Sequence, residues 1–320
     1  MDFAELAQEN IILKVRTGSH LFGTDTPDSD TDYEGVFMPP EEIVFGLGSC
    51  KEVDLGIKDK DDTGRNTKDA VDFKIREYRD FCRLALDNNP NILNILFANH
   101  PNIIERNAYG ERLMYNATLF PHKGGIQKYI AYAKSQLKKM GLKPDNYSKL
   151  EQAAEYLEKE NQDDILAYAV ERAVANGVNC MVDNGIGKHI LIGDISLERA
   201  LKIRKAVGHI KGRIARASHR SEMWKEHGFD CKFASNVIQI LLIGIELATT
   251  GKIEFPLAEA DSILNIKNGN WTLEQVVERA EYFTSLLENT ECVLHAHPRY
   301  EEVNSFVMSE MKRYFGSRAY

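Results

Sequence analysis

"TGSHLFGTDTPDSDTDYEG", Thr17 to Gly35, couples a Gly-Ser step to two aspartates, Asp30 and Asp32, that stand one residue apart. The run before it, Ile11 to Arg16, is dense in apolar and β-branched residues and reads as a strand entering a turn. Thr24 to Asp30, which follows Gly23, is made of Asp, Thr, Pro and Ser and reads as a loop. "TDYEGVFMPP" then reads as a second strand, closed by Pro39-Pro40. Residues i and i+2 of an extended strand share a side. The two carboxylates are therefore either the decoration of a solvated turn or half of a site for a divalent cation.

Downstream, Gly56 to Asp69 is polar and lacks periodicity, as a surface loop does. Val71, Phe73 and Ile75 alternate with Asp72 and Lys74, which puts Asp72 on a strand or at its junction with a helix. Asp69 competes with it as a third carboxylate, on more loop-like flanks. The pattern then turns helical. Tyr78, Phe81, Cys82 and Leu86 fall on one face, and the run stops at Asn88-Asn89-Pro90. Further helices are predicted over Gly125–Met140, Asp164–Ala175, Leu197–Ser221, Cys231–Thr250 and Leu273–Glu288. The chain is thus expected to be α+β: a small mixed β-sheet flanked by helices at the front, then a mostly α-helical region. The division falls near 110 to 125, giving expected domains 1–120 and 121–320.

At 320 residues, two domains are the prior, and 43% hydrophobic residues are enough for packed cores. A formal charge of −8 disfavours an indiscriminate nucleic-acid coat but leaves room for a local basic face. No uninterrupted run of about 20 apolar residues occurs; the nearest, Val237 to Ala248, is shorter and carries Gln239 and Glu246. The N-terminal "MDFAELAQEN" lacks a signal-peptide core. Five scattered cysteines without a CxxC suggest reduced thiols and a cytoplasmic location.

Hard cations such as Mg²⁺ take oxygen ligands, commonly one or two carboxylates completed by substrate phosphates. Asp72 from a neighbouring strand would complete a two-metal arrangement that activates a hydroxyl and stabilises charge on phosphorus. The Gly18-Ser19 step would let a nucleotide's phosphates approach backbone N–H groups and the Ser19 hydroxyl.

The same stretch resembles the signature of the DNA polymerase β nucleotidyltransferase superfamily: Gly, Gly/Ser, about ten residues, then Asp-x-Asp/Glu. More narrowly, Gly18, Ser19, His20, Phe22, Gly23, Ser29, Asp30, Asp32 and Gly35 are similar to the predicted nucleotidyltransferases of bacteria and phages that include the RNA-repair-associated polymerase-β-like proteins. "FCRLALDNNPNILNILF" (Phe81 to Phe97) and "HGFDCKFASNVIQILLIGIELATTGKIEFPL" (His227 to Leu257) extend the likeness. Gly228, Phe229, Asp230 and Lys232 keep the opening of the family's late helix. Asn236 and Gln239 stand where the family carries His and Arg.

The resemblance implies an N-terminal nucleotidyltransferase domain whose cleft the helical domain completes. It also implies transfer of a nucleoside monophosphate from an NTP, ATP favoured, to a hydroxyl with loss of pyrophosphate. Asp30, Asp32 and Asp72 would be the catalytic, metal-holding residues for Mg²⁺ or Mn²⁺. Gly18, Ser19, His20, Ser29 and Lys232 would hold the nucleotide. Asp230 is read either as orienting Lys232 toward phosphate or acceptor, or as a plain helix cap. Phage relatives extend the expected location to a phage-infected bacterial cell.

From Arg199 to Arg220 there are eight Lys or Arg residues and no acid. Lys202, Lys205, His209, Arg213, Arg216 and Arg220 recur at helical spacing. This stripe is either a track for an RNA, tRNA or triphosphate backbone or a solvated face neutralised by acids elsewhere. Together with the RNA-repair resemblance, it tilts the acceptor toward an RNA 3′ end. Nucleotidylation of a protein or small-molecule hydroxyl, and a catalytically idle nucleotide- or nucleic-acid-binding protein, are the rival readings.

Overall fold

The computed structural model describes residues 3–27, 29–59, 70–140, 144–183 and 187–317, with side chains 138–140, 144–147 and 216–225 left aside. In chain order the first elements are α1 (Phe3–Glu9), β1 (Ile11–Arg16), α2 (Gly18–Phe22), β2 (Asp32–Phe37) and α3 (Glu41–Val44). Then come β3 (Glu52–Asp54), β4 (Asp72–Glu77), α4 (Tyr78–Leu86), α5 (Pro90–Leu96), β5 (Ile103–Arg106), α6 (Ala108–Tyr115) and α7 (Lys123–Met140). The five strands form one mixed sheet in the order β3-β4-β2-β1-β5, in which β2 and β4 are parallel and the other pairs antiparallel.

The period-2 reading of β4 holds. Phe73 and Ile75 are buried and pack with Phe37 and Ala7, while Asp72 and Lys74 face out. Ile12, Leu13 and Val15 of β1 are buried in the same sheet. Glu77 ends β4 and caps α4, its carboxylate accepting from the backbone N–H groups of Arg79 and Asp80. Tyr78, Phe81, Cys82 and Ala85 form the buried face of α4.

The chain continues with α8 (Pro144–Glu158), α9 (Leu166–Ala175), β6 (Met181–Val182), β7 (His189–Ile192), β8 (Ile195–Glu198), α10 (Ile203–His227) and α11 (Cys231–Thr250). Last are α12 (Ala260–Lys267), α13 (Leu273–Asn289) and α14 (Tyr300–Gly316). The molecule is α+β, as expected. The helix expected over Leu197–Ser221 begins only at Ile203, because Leu197 lies in β8 of an antiparallel β6-β7-β8 sheet. In β7, Ile190 and Ile192 are buried while His189 and Leu191 face out, the alternation of a strand. The helix α8 was not expected at all.

Two compact units result: residues 1–134 with 235–270 and 275–320, and residues 135–234 with 271–274. They differ from the contiguous division at 1–120 and 121–320, because the late helices return to the sheet unit. Tyr314 donates to Asn10 (2.7 Å), and Arg112 bonds Glu310 (2.7 Å). The second unit has its own core, in which Leu166, Ala169, Ile190, Ile192, Ile203 and Ile210 are buried.

By length and composition alone, α11 is apolar enough to cross a membrane. In this fold it is a core helix, with Val237, Leu241 and Leu247 fully buried.

Candidate active site

β2 and β4 run parallel with Asp32 and Asp72 as register partners at their first residues. In a parallel pair, such partners lie one strand spacing apart and project to the same face. The sheet alone thus brings these two carboxylates together. Asp30 precedes β2 in the exposed approach to the strand. Asp69, the competing third acid, lies outside the described residues.

The Gly-Ser step is pinned against Asp32. Thr17 N–H donates to the Asp32 carbonyl (2.8 Å), and α2 starts at once with Gly18 in the left-handed region (φ +65). A Cβ on Gly18 would lie 2.7 Å from Asp32 Oδ2. The Asp32 carboxylate thus rests on the Gly18 backbone, an approach only glycine permits. Ser19 lies in the short helix α2, whose end is closed by bonds from Gly23 and Thr24 N–H to the Ser19 carbonyl. His20 faces Asp25 through Nδ1 (3.1 Å), and its buried Nε2 has no hydrogen-bond partner among the described residues. Ser29 closes the loop internally: its hydroxyl accepts from Thr26 N–H (2.9 Å) and meets Thr26 Oγ1.

Two side chains escaped the sequence reading. Glu34 lies two residues beyond Asp32 on the same face of β2, opposite Lys74 of β4. Burial pushes its carboxyl above the usual carboxylate range; Arg76 opposes that rise, and the Glu52 and Asp32 charges add to it. The alternation Asp30-x-Asp32-x-Glu34 was the available signal. Lys267, at the end of α12, donates to the Thr24 carbonyl (3.2 Å) inside the loop that joins the Gly-Ser step to Asp30. Around it, Leu257 N–H bonds the Phe22 carbonyl (3.1 Å), and Phe22 and Phe255 contact ring to ring. No local pattern could have signalled a brace from so far along the chain.

Among the described residues, no three His, Cys, Asp or Glu side chains converge closely enough to hold a metal ion by themselves. The donor set present at the parallel pair is two carboxylates on one face. That suits a hard cation whose remaining ligands are phosphate and water oxygens.

The other predicted positions belong largely to the second unit. Asp230 is buried and caps α11, its Oδ1 accepting from Phe233 N–H (2.9 Å). That bond is the one a helix cap makes. Lys232 is exposed on the first turn of α11, as is Asn236 on the next, while Gln239 is half-buried. Two cations of the basic stripe, Lys202 and Arg213, meet acids, as do the neighbouring Arg204 and Lys211. Lys202 and Arg204 pair with Asp163 (3.5 and 3.2 Å), Lys211 with Glu158, and Arg213 with Asp194. Lys205 is exposed and has no ion partner among the described residues. The side chains of Arg216 and Arg220 lie outside them.

Residues 1–158 match the RNA repair pathway DNA polymerase beta family. Over 298 residues the chain is 24% identical to the "uncharacterized 38.9 kDa protein in nrdC-mobD intergenic region" of Enterobacteria phage T4, covering 84% of this chain and 86% of that one. The crystal structure of a nucleotidyltransferase-like protein from Exiguobacterium sibiricum 255-15 aligns over 98% of this chain and 75% of its own, at 11% identity and a TM-score of 0.26.

Proposed function

We propose, from the match of residues 1–158 to the RNA repair pathway DNA polymerase beta family, that the Gly18–Asp72 site transfers a nucleoside monophosphate from an NTP to a hydroxyl acceptor. The observation that carries this reading is the parallel register of Asp32 with Asp72, with Gly18 packed on the Asp32 carboxylate.

The acceptor oxygen attacks the α-phosphorus, the bond from that phosphorus to the bridging oxygen breaks, and pyrophosphate leaves. Asp72, exposed at the head of β4, takes up the acceptor's proton directly or through water. Gly18 and Ser19 face the triphosphate from the start of α2, and Lys267 fixes the loop between them and Asp30. Bound Mg²⁺ or Mn²⁺, held by Asp32 and Asp72 with Asp30 closing from the loop, would neutralise the charge developing on the phosphates. Rate then depends mainly on positioning and charge stabilisation.

An RNA 3′ end, with tRNA one source, is the favoured acceptor, since the matching family is one of RNA repair. The pairing of Lys202, Arg204, Lys211 and Arg213 with acids favours a second reading, nucleotidylation of a protein or small-molecule hydroxyl. Incubation of the full chain with α-labelled NTPs, Mg²⁺ or Mn²⁺, total RNA and total protein separates the two. Label in RNA supports the first and label in protein the second. Absence of pyrophosphate release with every NTP and acceptor defeats both and leaves a binding protein.

A further inference from the structure

The sheet unit carries an open groove of 620 Å³ between α4 and α14, lined also by Val44 and Phe45 at the end of α3. Its floor is apolar: Cys82 and Leu86 from α4, and Val303, Val307 and Met311 from α14. Large apolar side chains along it stand in solvent, with Phe45 73%, Tyr300 65% and Met308 48% exposed. Exposed apolar side chains gathered along one groove, rather than scattered singly, are the surface that a partner can cover.

Two features specify the occupant. The first is shape. The α14 wall recurs at Tyr300, Val303, Val307, Met311 and Phe315, and α4 repeats the spacing at Arg79, Cys82 and Leu86. Such a stripe runs along about 22 Å of helix axis, the length of a short helix and more than a compact small molecule fills. Met308 and Met311 add adaptable, polarisable contact.

The second is charge. The groove lining contains Arg79, Arg83 and Lys312 and no acid, in a chain of net charge −8. The carboxylates that bond the two arginines, Glu77 and Asp80, are almost wholly buried, so the Arg83 side chain, 64% exposed, presents its charge outward. Lys312 is exposed and has no ion partner among the described residues.

We propose that this groove docks an amphipathic helix of a partner protein, its apolar stripe seated on α4 and α14 and its flanks carrying Asp or Glu opposite Arg83 and Lys312. The inference is independent of the transferase reading.

The probe is a fluorescein-labelled helical peptide of about 14 residues, with a Leu/Met stripe between Glu flanks, titrated with the full chain by fluorescence polarisation. Saturable binding that weakens with salt is expected, with a Lys-flanked version bound at least about tenfold more weakly. Lys312→Glu and Met308→Glu should each weaken the Glu-flanked peptide by about tenfold with unchanged circular dichroism. Should Met308→Glu unfold the chain, the exposed Lys312→Glu alone decides. Failure of the Glu-flanked peptide to bind, equal binding of both peptides, or indifference to Lys312→Glu overturns the proposal. So does a dimer in sedimentation that Met308→Glu dissociates, which would make a second copy the occupant.

Discussion

Asp32 and Asp72 are register partners at the heads of two adjacent parallel strands, and Gly18 backs the first of them. Neither carboxylate contributes to the apolar core: Asp72 is exposed, and Asp32 opens its strand only partly buried. Asp32→Asn and Asp72→Asn should therefore leave thermal stability within about 0.5 kcal/mol of the parent. Pyrophosphate release from NTP should fall by about 100-fold or more in each. Full activity in the Asp72→Asn chain would remove the third acid from the mechanism.

Gly18 allows no side chain. Gly18→Ala would meet Asp32 Oδ2 and force a left-handed φ on alanine. Denaturant melts should show a loss of about 1–3 kcal/mol, and nucleotide affinity should fall with it because Asp32 must move.

Glu34 should make stability depend on pH. Its folded-state pKa is raised, so the stabilisation is complete below the usual carboxylate range and is lost as pH rises through the folded value. Glu34→Gln removes that loss. Its melting temperature should match the parent near about pH 4 and exceed it near about pH 8. A gap that widens toward acid would contradict the assignment.

Asp230 separates a cap from a phosphate contact. Asp230→Ala should cost about 1 kcal/mol in a urea melt, whereas Asp230→Asn, which can still accept from Phe233 N–H, should cost little. A loss of NTP affinity in Asp230→Asn with an unchanged melt would instead show a role toward the nucleotide.

Lys267 should act through the loop. Lys267→Met deletes the bond to the Thr24 carbonyl while keeping most of the stem's packing. Nucleotide KM should rise by about tenfold, with kcat less affected, because the removed contact holds the loop in ground and transition states alike. An unchanged KM would make the lysine a purely structural tie.

Local chemistry determined much of this molecule. The β-branched run of β1, the Thr/Pro/Asp loop and the alternation at Val71 to Ile75 each impose a backbone state through neighbours a few residues away. The strands β1, β2 and β4, the helices α4, α7, α9, α10, α11 and α13, and the Gly-Ser and aspartate positions could therefore be read directly from the residues; β3, β5, the β6-β7-β8 sheet and the remaining helices could not. Tertiary structure decided the rest. Whether Asp72 faces Asp32 depends on strand order and register, which no local period encodes. The brace from Phe255 to Lys267 joins segments far apart in the chain. Lys202, Arg204, Lys211 and Arg213 have no acid beside them in the chain, yet Asp163, Glu158 and Asp194, from earlier segments, pair with them. Periodicity fixes which side of an element is apolar; only packing fixes which charges end up facing one another.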